Sequence, residues 1–386
     1  SVTEGHPDKV CDMISDALLD AYLEEDPSAH VALETMASED TVFIAGEVAS
    51  FAKVDVKNKA REVICEIGYD SKEKGIDGKE CLIITNIGVQ SPDIAQGVTQ
   101  CNGTIGAGDQ GMMYGYACDD TEELMPLSIS LAHKLSKRLT QVRKEGLLPY
   151  LYPDGKSQVT VAYNSQGEVL GVTDVVISAQ HNAEVSVQKL RMDIEEHVIR
   201  KVIPKELLLP DVKIHINPTG RFVVGGPAGD VGLTGRKIIV DTYGGIARHG
   251  GGAFSGKDPT KVDRSAAYMA RYAAKNVVAA GFCKKCEINL AYAIGIPQPV
   301  SIKIDTFGTE EIPKEIIEDT VNEVFDFSVA GIINSLSLTK VKYKPVAAYG
   351  HFGRTDLDLP WERLDKVNVL QEKAVARVAE EIYKNR

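Results

Sequence analysis

The chain has 386 residues, 44% of them hydrophobic and 25% charged, and carries a formal net charge of −12. That length holds two or three domains, each with its own core. The acidic balance argues against a nucleic-acid binder, whose affinity rests on a basic face, yet a few Lys and Arg can still focus a positive field on an anionic ligand. The seven cysteines are scattered, as reduced thiols are in cytoplasmic proteins, rather than grouped as a disulfide framework. No apolar run reaches membrane-span length and no charged-then-apolar signal segment is present, so a soluble cytoplasmic protein is expected.

In chain order, the first helix follows Pro7, with Val10, Met13, Ile14, Ala17, Leu18, Ala21 and Tyr22 at helical spacing and acids on the other face. Strands are predicted at 30–36 and 41–49, then a helix built on Ala60, Val63, Ile64 and Ile67 that stops at Gly68, then a strand at 81–88. The polar, glycine-rich stretch from 90 to 111 has no periodicity and reads as a long functional loop. A helix at 121–143, strands at 157–163 and 168–178, a helix near 184–201 and a strand at 211–217 follow. A third set comprises a helix at 259–280, strands at 286–294 and 299–307 and a helix near 313–325. Helix–strand–strand–helix–(strand) recurring three times predicts an α+β fold of three similar units, each a small sheet covered by helices.

Several glycine-flanked stretches carry the chemistry. Read from Gly251, GGAFSGK at 251–257 spells the phosphate-loop pattern G-x-x-x-x-G-K, but Asp258 stands where a Walker loop needs Ser or Thr for Mg²⁺. Asp258 and Pro259 read instead as the N-cap and first residue of a helix that starts after Lys257. A loop feeding a helix N-terminus still suits an anion, with Lys257, Lys261 and Arg264 adding charge and Asp263 within reach of a metal. The segment GAGDQG at 106–111 is formally G-x-G-x-x-G, yet no strand leads into it and no long helix leaves it, so the dinucleotide reading fails.

TEGHPDK at 3–9 gathers His6, Asp8 and Lys9 at one helix start, an outline of a second anion site, although a lone histidine there is more often a cap or surface residue. The run 217–237 has two glycine-rich turns with Arg221, Phe222, Asp230, Arg236 and Lys237, where Phe222 either stacks a base or joins the core. YPDGKSQVT at 152–160 reads as a plain hairpin turn delivering Lys156 at a strand start. Cys283 and Cys286 form a C-x-x-C without the second pair that zinc requires. Together, cations at turns in all three units and acids suited to Mg²⁺ describe a site for a polyphosphate.

With these stretches assembled, the chain resembles the S-adenosylmethionine synthetases, from TEGHPDK to AYGHFGR at 348–354. GAGDQG and GGGAFSGKD are that family's two signatures, and QSPDIAQGV, DGKSQVT, NPTGRFVVGGPAGDVGLTGRK and KDPTKVDRSAAY agree as well. The resemblance implies three domains in pseudo-threefold arrangement, at 1–92, 106–224 and 225–386, with a mobile active-site loop at 93–105. It also implies a homodimer with two sites between subunits, paired into a homotetramer. The implied reaction is attack of the methionine sulfur on C5′ of ATP, with triphosphate leaving intact and then cleaved to pyrophosphate and phosphate.

Position by position, the resemblance assigns catalytic roles to His6, Lys156, Arg236 and Lys257. It adds Asp154, Arg221, Phe222, Asp230, Lys237 and Ala253 to the ATP site, and gives methionine Glu47, Gln90, Asp109, Asp230 and Lys261. It implies two Mg²⁺ per site, at Asp8 and Asp263, and K⁺ at Glu34. The family begins with a short strand ahead of the position of Ser1, so preceding residues are expected, and the segment 99–105 departs from the commoner loop forms. Rival readings are a phosphoryl-transferring kinase or ATPase, distinguished by ADP production, and a nucleotide-sensing regulatory subunit without activity.

Overall fold

The computed structural model describes residues 1–89 and 105–384; the expected loop at 93–105 lies, but for Ile105, outside them. Three helix–hairpin–helix units follow one another. The first is α1 (Pro7–Glu25), β1 (His30–Ser38), β2 (Thr41–Ala49), α2 (Val56–Ile67) and β3 (Leu82–Gly88). After β4 (Gly111–Cys118) the order repeats as α3 (Leu127–Lys144), β5 (Leu151–Tyr163), β6 (Val169–His181), α4 (Val187–Ile194) and β7 (Leu208–Ile216). Then come the short β8 (Gly232–Leu233) and α5 (Ile238–Asp241), and the third unit α6 (Val262–Ala279), β9 (Lys285–Tyr292), β10 (Ser301–Asp305) and α7 (Lys314–Val324). The helices α8 (Val329–Ser335) and α9 (Val367–Lys384), which the sequence reading did not anticipate, complete the described chain.

In the first two units the hairpin is antiparallel and the strand after the second helix returns parallel to it, β2 with β3 and β6 with β7. The sheets of the three units run β8-β1-β2-β3, β5-β6-β7 and β10-β9-β4, beside a two-stranded ribbon that pairs Asp70–Ser71 with Ile76–Asp77. At the free edge of each first hairpin strand lies backbone from elsewhere in the chain. β8 pairs with β1, Val2 bridges Lys156 on β5, and β4 pairs with β9. Each borrowed strand satisfies edge N–H and C=O groups that would otherwise be exposed. It also delivers its flanking residues to the sheet rim: Thr3–His6 after Val2, Asp109 before β4, and Asp230 to Lys237 around β8.

Local chemistry explains the element ends, including those expected elsewhere. His6 caps α1 with Pro7 at its first position, while Asp55 caps α2, which ends at Gly68 with φ +107°. The third helix does not start at Pro259: α6 begins at Val262 with Lys261 as N-cap. The Asp258 carboxylate is taken by the Val31 N–H at 2.7 Å and by Thr260, so it pins the preceding turn to β1 rather than capping the helix. The helix expected at 121 begins after Pro126. The one expected at 184–201 is α over α4, passes through a π-turn at Glu195–Ile199, where the His197 carbonyl accepts from Arg138 Nε at 3.1 Å, and resumes as α at Arg200–Val202. Pro153–Gly155 is an irregularity inside β5 rather than a hairpin turn, because Thr3 N–H and its hydroxyl donate to the Gly155 and Pro153 carbonyls at 2.9 and 2.7 Å. Among the described residues no helix is long and apolar enough to cross a membrane.

Candidate active site

The turn that opens α1 is fixed from three sides: Thr3 on β5, Tyr69 O–H donating to the Gly5 carbonyl at 2.5 Å, and His6 Nδ1 accepting the Asp8 N–H at 3.2 Å. With Nδ1 an acceptor, the neutral ring carries its proton on Nε2. Burial, then the ammonium groups of Lys237 and Lys156, push the His6 pKa down to about 3, so this is a neutral hydrogen-bond donor at physiological pH. Asp8 is buried and accepts the Leu233 N–H at 2.9 Å on Oδ1, pairs with Lys237 through Oδ2, and lies 4.0 Å from Arg236. Burial alone would raise its pKa, but the Lys237 and Leu233 hydrogen bonds hold it below the usual value.

Beside this turn, β5 carries Asp154 and the exposed Lys156. Asp154 Oδ2 accepts the Gly226 N–H at 2.9 Å while Oδ1 is buried without a hydrogen-bond partner among the described residues. Burial is the main reason its pKa rises to about 6. Phe222 is held by a reciprocal pair with His181, donating to Nε2 at 3.0 Å and accepting at 2.9 Å, which leaves Arg221 exposed beside it. Asp230 is exposed, its amide tied to the Gly226 carbonyl at 3.2 Å. His6, Asp8, Asp154, Lys156, Arg236 and Lys237 thus form one electrostatically connected group, with Arg221, Phe222 and Asp230 on the adjoining turns.

A second group lies on the loop before α6. Lys257 Nζ meets Asp263 Oδ2 at 2.6 Å and Lys261 pairs with Asp258. Ala253 stands beside Gly235, where a side-chain carbon would come within 2.5 Å of its Cβ. Among the described residues no hydrogen bond or ion pair joins the functional side chains of the two groups. Glu34, Glu47 and Asp109 are exposed and bonded to neither group; Gln90 lies outside the described residues. Glu34 and Glu47 share the outer face of the first sheet, since Glu34 pairs with Ala45 and Ala32 with Glu47.

Sequence reasoning missed the supports beneath both groups. The acids on the far face of α1 are not solvated: Asp8, Asp12, Asp16 and Asp20 are all buried. Asp12 holds Gly235 and Lys9, Asp16 holds Gly256 and Arg264, and Asp20 accepts the Tyr343 and Lys344 amides at 2.7 and 2.9 Å. Their i, i+4 spacing was the available signal, but a stripe of acids on an amphipathic helix ordinarily means a wet face.

Metal ions fit these groups in a particular way. Among the described residues no cluster of three or more His, Cys, Asp or Glu could hold one unaided. Asp8 and Asp263 are instead single carboxylates, each with an ammonium group against it, which suits Mg²⁺ held mostly by phosphate oxygens and water.

The three-unit α+β fold thus carries two cation-rich groups, each with a lone carboxylate against an ammonium group. The chain matches the N-terminal, central and C-terminal domains of S-adenosylmethionine synthetase over residues 1–92, 104–222 and 224–363. It belongs to the S-adenosylmethionine synthetase family, and its activity is transfer of the adenosyl group of ATP to the sulfur of methionine. The family needs metal ions.

Proposed function

We propose that the two groups are complementary halves of one active site, brought together when two copies of the chain pair. The observation that carries this is the outer face of the first sheet, where Glu47, assigned to methionine, and Glu34, assigned to K⁺, both stand. Met36, Leu82 and Ile84 are 39, 57 and 42% exposed on it, in register with Thr41 and Phe43 of β2. An apolar, half-solvated sheet face rimmed by site residues suits an isologous dimer; further pairing into a tetramer belongs to the same proposal. So do the domain limits 1–92, 106–224 and 225–386 and a cytoplasmic location, the latter supported by the free thiols of Cys11, Cys65, Cys81, Cys118, Cys283 and Cys286.

In the assembled site the methionine sulfur attacks C5′, the S–C5′ bond forms, and the C5′–O5′ bond breaks with its electron pair leaving on triphosphate. A thioether needs no base, so the protein's work is alignment and stabilisation of the departing charge. His6 Nε2–H donates to the leaving oxygen. Lys156, Arg236, Lys237 and Lys257 hold the phosphates, with Ala253 against them. Asp154 Oδ1 takes a donor from the nucleoside, and Arg221 with Phe222 packs the adenosine. Glu47, Gln90, Asp109 and Lys261 hold methionine, with Asp230 between the substrates. Mg²⁺ at Asp8 and Asp263 would neutralise the phosphate oxygens, and K⁺ would sit at Glu34.

Mixing two inactive chains tests the shared site. His6→Ala and Lys257→Ala are each expected to be inactive, yet re-equilibrated together they form mixed dimers in which one site has lost both residues and the other neither. A statistical mixture then recovers about a quarter of wild-type activity by symmetry; no recovery from dimers shown to have exchanged contradicts the proposal.

A further inference from the structure

Two turns carry the same three-residue pattern, Thr234–Gly235–Arg236 and Ser255–Gly256–Lys257. Both glycines have φ +79°, a conformation that favours glycine. Both turns lie against β1: Thr234 N–H donates to the Thr35 carbonyl at 3.0 Å, and Leu33 N–H donates to the Gly256 carbonyl at 3.0 Å. A side-chain carbon on Gly256 would come within 1.9 Å of the Leu33 oxygen, so the approach excludes other residues.

Each glycine amide points at an aspartate of α1. Gly235 N–H donates to Asp12 Oδ1 at 2.8 Å, and Gly256 N–H donates to Asp16 Oδ1 at 2.9 Å. Residues four apart share a helix face, and both carboxylates are fully buried. Each is backed by a buried cation: Lys9 at 3.0 Å from Asp12, and Arg264 with both carboxylate oxygens of Asp16 at 2.7 Å. The same cations grip the chain again just downstream. Lys9 also pairs with Asp241, four residues past Lys237, and Arg264 Nη1 donates to the Lys257 carbonyl at 3.1 Å. Each turn is therefore clamped on both sides of the cation it presents.

We propose that Asp12 and Asp16 are positioning residues that set the backbone from which Arg236, Lys237 and Lys257 project, so that one helix aligns the phosphate cations of both half-sites. Neither aspartate touches substrate. Charge-assisted hydrogen bonds to a buried carboxylate are short and directional, and a small displacement of a phosphate-binding cation is costly to binding. The inference rests on the polyphosphate role proposed for those three cations.

Asp12→Ala is the primary test, because Lys9 keeps Asp241 as its counter-ion and no buried charge is stranded. In the whole protein, steady-state constants for both substrates are measured beside the melting temperature. The expected result is an ATP KM raised roughly ten- to a hundredfold, the range for lost supporting partners, with the methionine KM unmoved. Asp12→Asn keeps an acceptor for the Gly235 amide and recovers most of the loss. A folded Asp12→Ala protein with a lowered melting temperature and a wild-type ATP KM overturns the inference.

A second measurement needs no variant: in the wild-type protein the Gly235 and Gly256 amides exchange with solvent as slowly as those in the middle of α1. Exchange as fast as in the exposed loops would contradict the clamp. Adenosylmethionine formation by the wild type is recorded in the same assay. Its absence retires the polyphosphate reading, whereas its presence with an unmoved ATP KM retires this inference alone.

Discussion

Burial, with the ammonium groups of Lys237 and Lys156, holds the His6 imidazole at about 3, so in the role proposed for it the ring would meet the leaving group as a neutral donor and not as an acid that must first be charged. On that proposal its contribution belongs to C5′–O5′ cleavage. His6→Asn is expected to slow adenosyl transfer more than cleavage of added triphosphate, and equal loss of both rates in single-turnover experiments would remove the leaving-group role. Asp154 tells a different story. Its folded pKa of about 6 lies above the ordinary carboxylate value of 3.8, with burial the largest cause. The shift destabilises the fold in full above pH 6, where the carboxylate is charged in both states, and not at all well below 3.8, where both states are protonated. That rise corresponds to about 3 kcal/mol. Asp154→Asn, which keeps an acceptor for Gly226 N–H, is therefore expected to stabilise the ligand-free protein by that order at pH 8 and hardly at pH 4, while weakening ATP binding. Denaturant titrations at the two pH values check it; equal effects at both would show that the buried carboxylate is not the cause.

At the scale of elements, the close crossing of α6 over β4 is set by Gly115. A side-chain carbon there would stand 2.0 Å from the Ala270 backbone carbon, and Gly115 pairs with Ile288 of β9, so neither layer can move apart freely. Gly115→Ala is expected to cost about 3 kcal/mol, the upper end of the usual range for overpacking a tight core, read from urea unfolding or from loss of soluble protein. Stability within about 0.5 kcal/mol of wild type, the range of an ordinary surface change, would contradict the crossing.

This same strand explains part of what the sequence concealed. MMYGYAC alternates poorly because most of β4 is buried on both faces. The apolar stripe of α1 was legible, but its acids were not, because periodicity reports spacing and says nothing of what covers the other side. Asp258–Pro259 carried the letters of a helix start, and the Val31 amide of a distant strand claimed the carboxylate first. Local propensity yields where a long-range partner binds better. The motifs themselves were legible because loops that bind phosphates need particular letters, Gly for close approach and Lys or Arg for charge.

Across the whole molecule, the exchanged edge strands tie three similar units into one body, with the candidate site residues at the seams. β8, Val2 and β4 each leave their own stretch of chain to close another unit's hairpin, and each carries a neighbouring site residue with it. No single-unit reading of the sequence contains that information, since it arises only when all three hairpins have folded. The recurrence of element order was visible in the chain; the borrowing of strands was not.

The most direct measurement is an incubation of the purified protein with ATP, methionine, Mg²⁺ and K⁺, with products identified by mass. Adenosylmethionine accompanied by pyrophosphate and phosphate, without ADP, is the result predicted, and Lys257→Ala abolishes it while leaving the fold intact. Formation of ADP, or no bond between C5′ and sulfur, would contradict the account.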